Sequence, residues 1–163
     1  MAKSKPKASA LVRVQDRPAE QSFSHPLNPR CEMRGVSLSE IAGLRRIGIH
    51  LVRIPPGKEA NLYHAHANEE EFYFILSGRG VAEIDGREHE VGPGDFVGCA
   101  TPAVPHQLRN PHDEDLVYLV GGERKAVEIG DFPHLGKRVL RVGREAWIVD
   151  SDKLEPFGKP RKE

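Results

Sequence analysis

Apolar and polar residues alternate over short stretches of this chain, and Gly, Pro and Asp residues separate the stretches. Residues 47–54 show the pattern most clearly, with Ile47, Ile49 and Leu51 on one face and Val52 and Ile54 on the other. A period of two is typical of a half-buried β-strand. Similar stretches lie at 71–76, 81–84, 88–91, 96–99, 106–110 and 116–120. Many short strands of this kind predict an antiparallel sandwich or barrel.

Turn signals support the strand predictions. Asp85-Gly86 stands between two alternating stretches, and this dipeptide is the strongest short-range signal of a two-residue hairpin. Residues 37–44 predict a short helical turn capped by Ser37 or Ser39. This turn is too short to be a DNA-recognition helix. The overall prediction is an all-β protein.

Both ends of the chain differ from the middle. Residues 1–20 combine Lys and Arg with prolines, and we predict a flexible N-terminal arm. Residues 21–133 are predicted to form the barrel domain. For residues 134–163 we predict an extension that packs on the barrel or on a second subunit, with Trp147 as its anchor. A homodimer is the expected assembly.

Charge and composition exclude several classes of partner. The 163 residues include 24 basic and 24 acidic side chains, so the net charge is zero and no basic surface for nucleic acid is indicated. No apolar stretch approaches the length of a membrane span. Cys31 and Cys99 stand far apart, unlike the cysteines of a disulfide scaffold or a thiolate zinc site. We therefore expect a soluble, cytoplasmic protein with no nucleic-acid or membrane partner.

One group of residues suggests metal chemistry. His64 and His66 are two positions apart, so in a strand both side chains point to the same face and can bind the same ion. Glu71 follows after a short polar turn, and a returning antiparallel strand would bring it beside the two histidines. His106 lies forty residues beyond His66. Only a closed sheet would bring His106 back to the same place.

The spacing of these residues resembles that of a known family. Gly57, six residues, His64-x-His66, four residues, Glu71, six residues and Gly78 resemble the first cupin motif, whose His, His and Glu bind metal. The later residues that resemble the second motif are Gly86, Pro93-Gly94-Asp95, Pro105-His106 and Asn110. Two intervals are one residue longer than the pattern, and both fall in loops or turns, where length varies most.

The resemblance covers residues 45–121 and is closest to the small single-domain bacterial cupins. It implies a double-stranded β-helix, also called a jelly-roll barrel, with N- and C-terminal extensions. It also implies that His64, His66, Glu71 and His106 bind metal. Imidazole nitrogen with carboxylate oxygen suits one divalent transition metal ion per chain: Fe, Mn, Ni, Co, Cu or Zn.

The predicted chamber around the ion is mostly apolar. The residues expected to line it are Leu62, Tyr73, Ile75 and Leu108. Tyr73 would either donate a proton or line the chamber. His50 becomes a second catalytic candidate if its side chain faces the interior.

The sequence is compatible with more than one reaction. The family resemblance implies a metal-dependent enzyme acting on a small oxygen-bearing metabolite, either a dioxygenase or a sugar or sugar-phosphate isomerase. An isomerase of phosphosugars needs a cation for the phosphate, and Arg53, Arg79 and Arg109 are candidates if one points inward. The alternatives are a non-catalytic sensor or carrier of a small molecule and a structural dimer module with a vestigial metal site.

Overall fold

A computed structural model describes residues 8–102 and 104–158. The first seven residues of the predicted N-terminal arm and the last five residues of the predicted C-terminal extension lie outside the described residues. Within that range the protein has thirteen β-strands and one short α-helix. None of the helices described there is long and apolar enough to cross a bilayer.

The elements follow the chain in a simple order. The first strands are β1 (Gln21–His25), β2 (Asn28–Ser37), β3 (Ile47–Ile54), β4 (Glu59–His66), β5 (Glu71–Ser77), β6 (Gly80–Ile84) and β7 (Arg87–Val91). The remaining strands are β8 (Phe96–Cys99), β9 (His106–Arg109), β10 (Leu116–Glu123), β11 (Val127–Phe132), β12 (Lys137–Val142) and β13 (Glu145–Asp150). Helix α1 is Leu38–Ala42, and single 3-10 turns occupy Val14–Asp16, Pro133–Leu135 and Ser151–Lys153.

Two antiparallel groups of strands form the barrel. In one group the order is β2, β3, β10, β5 and β8, and in the other β7, β6, β9 and β4 are neighbours. Strand β2 links the groups, because it pairs with β3 and also makes a parallel bridge from Cys31 to Glu59 of β4. This curled sheet confirms the predicted all-β barrel.

The core lies between the two groups of strands. Ile54, Ile75, Leu108 and Leu116 are fully buried there and belong to a single hydrophobic cluster. Complete burial of a side chain of this size stabilises a fold by about 1.5–3 kcal/mol. Ile75 and Leu108 therefore serve mainly to hold the two sheets together.

Local signals in the sequence are confirmed. Strand β3 has the predicted bounds, and Asp85 and Gly86 both have positive φ (50° and 69°), as a type I′ hairpin turn requires. The Glu40 amide donates to Ser37 Oγ at 3.4 Å, which caps α1, and the helix ends at Gly43 with φ of 76°.

The path between β4 and β5 differs from the prediction of a returning antiparallel strand. Strand β4 pairs with β9 and β11, whereas β5 pairs with β10 and β8. Backbone bonds fix this crossing, because the Ala67 amide donates to Ile129 O at 2.9 Å and the Glu123 amide donates to Glu70 O at 3.0 Å. The chain thus changes sheet within the turn between the two strands.

The C-terminal strands form an antiparallel sheet of their own. Strands β11, β12 and β13 are successive neighbours, and β11 joins β4 by pairing Gly130 with His66 and Asp131 with Ala65. Trp147 on β13 is 51% exposed, so within one chain it does not anchor the sheet to the barrel. The domain limits, the homodimer and the cytoplasmic location stay predictions.

Candidate metal centre

Strand pairing brings the three candidate histidines together. His64 and His66 lie on β4, and β9 pairs with β4 so that His106 is directly opposite His64. The regular pairing is interrupted between Ala60 and His64, where Asn61 has a positive φ of 52°. Glu71 is the first residue of β5 and reaches the histidines from the other sheet. Closure of the barrel thus brings His106 beside His64 and His66, as the sequence-based prediction required.

The four side chains converge on one point. One possible ligand atom from each of His64, His66, Glu71 and His106 lies within 4.8 Å of the others. Glu71 Oε2 is 3.0 Å from His106 Nε2, 3.7 Å from His66 Nε2 and 3.9 Å from His64 Nε2. The Nε2 atoms of His64 and His66 are 3.1 Å apart.

The hydrogen bonds of the ring nitrogens show which atoms are available to an ion. His64 Nδ1 donates to Leu62 O at 2.6 Å, and His106 Nδ1 donates to Val104 O at 3.0 Å. A carbonyl only accepts, so each Nδ1 carries a proton and Nε2 is the ring atom left to bind an ion. The Nε2 atoms face one another and the Glu71 oxygen. Nitrogen and oxygen ligand atoms that converge in this way suit a transition metal ion.

The charges of the cluster also favour a cation. Burial opposes ionisation of Glu71, but contacts with His106 and His66 outweigh it and hold the pKa of Glu71 well below its usual range. Burial and the charge of His106 lower the pKa of His64 to about 4. Burial also acts to lower the pKa of His106, yet contacts with Cys99 and Glu71 raise it to about 10. Metal binding would therefore release a proton from His106.

Tyr73 supports the carboxylate. Its hydroxyl donates to Glu71 Oε2 at 2.8 Å, and burial raises the pKa of Tyr73 well above its usual range. The phenol thus stays protonated and orients Glu71. This contact favours a positioning role over proton donation to a substrate.

A cavity of about 390 Å³ opens onto the cluster. His64, Glu71, Tyr73 and His50 line it, and Val52 contributes to its apolar side. His50 therefore faces the interior, which the sequence left undecided. Burial, followed by the charge of Arg124, lowers the pKa of His50, so its imidazole is neutral at pH 7.

The other predicted lining residues have different positions. The inward face of β5 runs from Tyr73 at the cavity to Ile75 in the core, and Leu108 is buried in the same core. Leu62 is half-buried and contributes its backbone carbonyl to His64. Alternation of apolar and polar residues shows which side chains point inward. It does not show whether an inward side chain lines the cavity or packs in the core.

The residues that line the cavity include Arg34, which no sequence pattern indicated. Arg34 lines the cavity from β2, and its side chain is 53% exposed. The three predicted candidates lie elsewhere: Arg53 contacts Asp115 at 2.8 Å, Arg109 forms an ion pair with Glu88, and Arg79 is not among the residues that line this cavity. Residues 28–37 lack a clean alternation, so the sequence carried little signal for the direction of Arg34.

A second residue without a sequence signal is Glu128 of β11. Its carboxylate is buried, and Oε1 lies 3.5 Å from His66 Nδ1. Its position depends on how β11 pairs with β4, which no local pattern reveals.

Known proteins share this architecture. The model of the cupin domain family matches residues 50–122. A structure from Acidithiobacillus ferrooxidans, described as a putative sugar phosphate isomerase, is 36% identical, with 92% of this chain and 97% of that chain covered and a TM-score of 0.88. A sugar phosphate isomerase of the cupin superfamily from Silicibacter pomeroyi is 26% identical, with 91% and 94% covered and a TM-score of 0.78.

Shorter matches occur among curated proteins. The oxalate-binding protein of Thermotoga maritima is 35% identical over 69 residues, which is 42% of this chain and 54% of that protein. An uncharacterized protein of Methanocaldococcus jannaschii is 39% identical over 57 residues, 35% of this chain and 44% of that protein. The chain thus spans about half the length of these two relatives. Together with the fold, the comparisons show that this chain is a small single-domain member of the cupin superfamily.

Proposed function

We propose that this protein is a metal-dependent enzyme that isomerises a small phosphorylated sugar. One observation carries the proposal: a single cavity is lined by two of the four converging ligands, His64 and Glu71, and also by His50 and Arg34. The similarity to proteins described as sugar phosphate isomerases, one of them covered over 97% of its length, supports the same reaction class.

The metal would be held by His64, His66, Glu71 and His106. Three imidazoles and one carboxylate suit Fe, Mn, Co, Ni, Cu or Zn. When bound, the ion supplies Lewis-acid chemistry by polarising a substrate carbonyl. Tyr73 keeps the Glu71 carboxylate in place through its hydroxyl.

His50 is proposed as the general base. Interconversion of an aldose and a ketose removes a proton from the carbon that bears the hydroxyl and returns it to the neighbouring carbonyl carbon, while the hydroxyl proton passes to the carbonyl oxygen. A neutral imidazole performs both transfers, because it takes up the proton and then returns it. Burial lowers the pKa of His50 and so favours its neutral form, and the residue lines the cavity.

Arg34 is proposed to bind the phosphate. In the structure it contacts Glu32 at 3.1 Å, an exposed ion pair of the kind that contributes at most about 1 kcal/mol. Lys58 contacts Glu32 at 3.2 Å, so Glu32 keeps a partner when Arg34 turns away. Charge-assisted, bidentate bonds from Arg to phosphate are stronger than such a surface pair. Arg34 therefore exchanges Glu32 for the substrate at little cost.

The size and lining of the cavity suit a small metabolite. Its volume of about 390 Å³ lies in the usual range for small-molecule sites. Apolar side chains such as Met33, Val52 and Val120 cover part of the surface. They limit the access of water to the carbon from which His50 takes the proton.

A second candidate is a carrier of a small dicarboxylate. The similarity to the oxalate-binding protein, at 35% identity, favours it. A chelating dicarboxylate would occupy open metal positions without any proton transfer. The carrier function therefore requires the metal ligands but not His50.

The test uses protein loaded separately with Mn, Fe, Co, Ni or Zn and a panel of aldose and ketose phosphates in D₂O. Proton NMR is expected to show interconversion and uptake of solvent deuterium at the exchanging carbon. His50→Gln should slow both about 10²–10⁴-fold while keeping the metal, and His89→Gln, at an exposed site on β7, is the matched control. Calorimetric binding of oxalate with no turnover of any sugar phosphate would favour the carrier instead.

A further inference from the structure

We infer that Glu128, outside the residues matched by the cupin family model, is a positioning residue for the metal ligand His66. The inference rests on the proposed metal centre. It implies that β11, the first strand of the C-terminal sheet, contributes a residue to the metal site. The contacts of the three histidine rings carry the argument.

His66 differs from the other two histidines at Nδ1. His64 and His106 each donate from Nδ1 to a backbone carbonyl. His66 Nδ1 is buried and finds no hydrogen-bond partner within the described part of the chain. The acidic atom that faces it is Glu128 Oε1 at 3.5 Å. One ring of the three thus has a carboxylate near Nδ1 where the other two have a hydrogen bond to the backbone.

The Glu128 carboxylate is itself held firmly. Its side chain is only 6% exposed, and it accepts from the Ala67 amide at 2.9 Å and the Asn68 amide at 3.2 Å. Strand β11 adds two fixed points, since Gly130 pairs with His66 and the Ala67 amide donates to Ile129 O at 2.9 Å. A carboxylate fixed by charge-assisted bonds can orient a neighbouring ring.

The chemistry of metal sites gives this contact a function. With Nε2 of His66 on an ion, Nδ1 keeps its proton, and a carboxylate that accepts this proton fixes the ring and makes Nε2 more basic. Loss of such outer partners lowers metal affinity about 10–100-fold. A purely structural role for Glu128, anchoring the turn at Ala67 and Asn68, would leave the properties of His66 unchanged.

The experiment compares the full chain with three variants, using Co²⁺ as the probe. Glu128→Gln keeps an oxygen for the two amides but loses the charge, and Glu128→Ala loses both. Asp131→Asn is the matched control, because Asp131 lies on the same strand and its carboxylate binds Arg138. Competition with a chelating dye measures Co²⁺ affinity. Paramagnetic proton NMR measures the exchangeable Nδ1–H signals of the three histidines.

We expect Glu128→Gln to weaken Co²⁺ binding about 10–100-fold, with Asp131→Asn close to the wild type. One of the three exchangeable signals should shift and exchange faster with solvent in Glu128→Gln, while the other two stay unchanged. Wild-type affinity and three unchanged signals in Glu128→Gln would overturn the inference even if Glu128→Ala were unstable. If the wild type binds no Co²⁺ at all, the metal centre itself is refuted, and the inference with it.

Discussion

Two buried polar clusters lie in the same barrel, and they are built in opposite ways. In the Glu59 network (Asn28, Arg30, Glu59 and Gln107), the Glu59 carboxylate accepts from Asn28 Nδ2 at 3.0 Å and Gln107 Nε2 at 3.2 Å and contacts Arg30 at 2.8 Å. Every contact joins a donor to an acceptor. In the metal centre, the Nε2 atoms of three histidines converge on the Glu71 carboxylate, and two of the Nδ1 atoms are already bound to backbone carbonyls. The Glu59 network is complete in itself, whereas the metal centre gathers ligand atoms that suit a cation.

The two clusters are joined through β4. Glu59 begins the strand, and His64 and His66 end it. Between them, Asn61 O accepts from Asn28 Nδ2 at 2.6 Å and from Gln107 Nε2 at 3.3 Å. The Glu59 network thus holds the residue of positive φ at which β4 changes register before His64. The Glu59 network therefore sets the course of β4 on which the metal centre depends.

The largest difference between the two clusters is expected when a metal ligand is removed. The wild type is expected to retain one transition metal ion per chain after dialysis, and His66→Ala should lose it because one of the four converging ligands is gone. Glu59→Gln should retain the ion, since its own network has no place for a cation. Elemental analysis of the purified proteins measures both. Full occupancy in His66→Ala would show that the two clusters do not differ in this way.

The metal centre also differs from the Glu59 network in opening onto a cavity, and His50 tests that difference. His50→Gln should lower kcat about 10²–10⁴-fold, as is usual on loss of a general base. Because burial lowers the pKa of His50, the wild-type rate should stay level near pH 7 and fall only below about pH 6.5. The pH profile of kcat measures this. A rate that already falls between pH 8 and 7 would point to another base.

Breaking the Glu59 network should cost stability. Glu59→Ala leaves the buried amide nitrogens of Asn28 and Gln107 with Asn61 O but without the carboxylate, and an unsatisfied buried N–H costs about 1–3 kcal/mol. Urea unfolding of metal-free protein measures the loss. His66→Ala, studied in the same way, should be less destabilising because metal-free His66 already has an unpaired nitrogen. A larger loss of stability in His66→Ala than in Glu59→Ala would contradict the contrast between the clusters.

The smallest effect is expected at the edge of the Glu59 network. Arg30 is 73% exposed, and an exposed ion pair contributes about 0–1 kcal/mol. Arg30→Ala should therefore change the free energy of unfolding by less than about 1 kcal/mol. The effect should shrink further in high salt. A loss as large as that of Glu59→Ala would mean that Arg30 is the main partner of the carboxylate.

Much of this architecture could be predicted from local patterns. The alternation at residues 47–54 gave the bounds of β3, and Asp85-Gly86 marked the hairpin between β6 and β7. The spacing of His64, His66, Glu71 and His106 identified the residues that the barrel brings together. These features depend on near neighbours in the chain or on a family spacing, and both are visible in a single sequence.

What could not be predicted depends on pairing between distant strands. The positive φ of Asn61 and the crossing from β4 to β5 follow from hydrogen bonds to residues far away in the chain. The same holds for Glu128, which reaches His66 only because β11 pairs with β4. Ile75 shows a second limit, because alternation placed it inside but did not show that it packs in the core.

X-ray absorption on the zinc-loaded protein tests the central claim most directly, because it counts the atoms around the ion. We predict nitrogen and oxygen at about 2.0–2.2 Å, with the scattering of three imidazole rings. A first shell of water oxygens without imidazole scattering, or one containing sulfur, would contradict a centre built from His64, His66, Glu71 and His106.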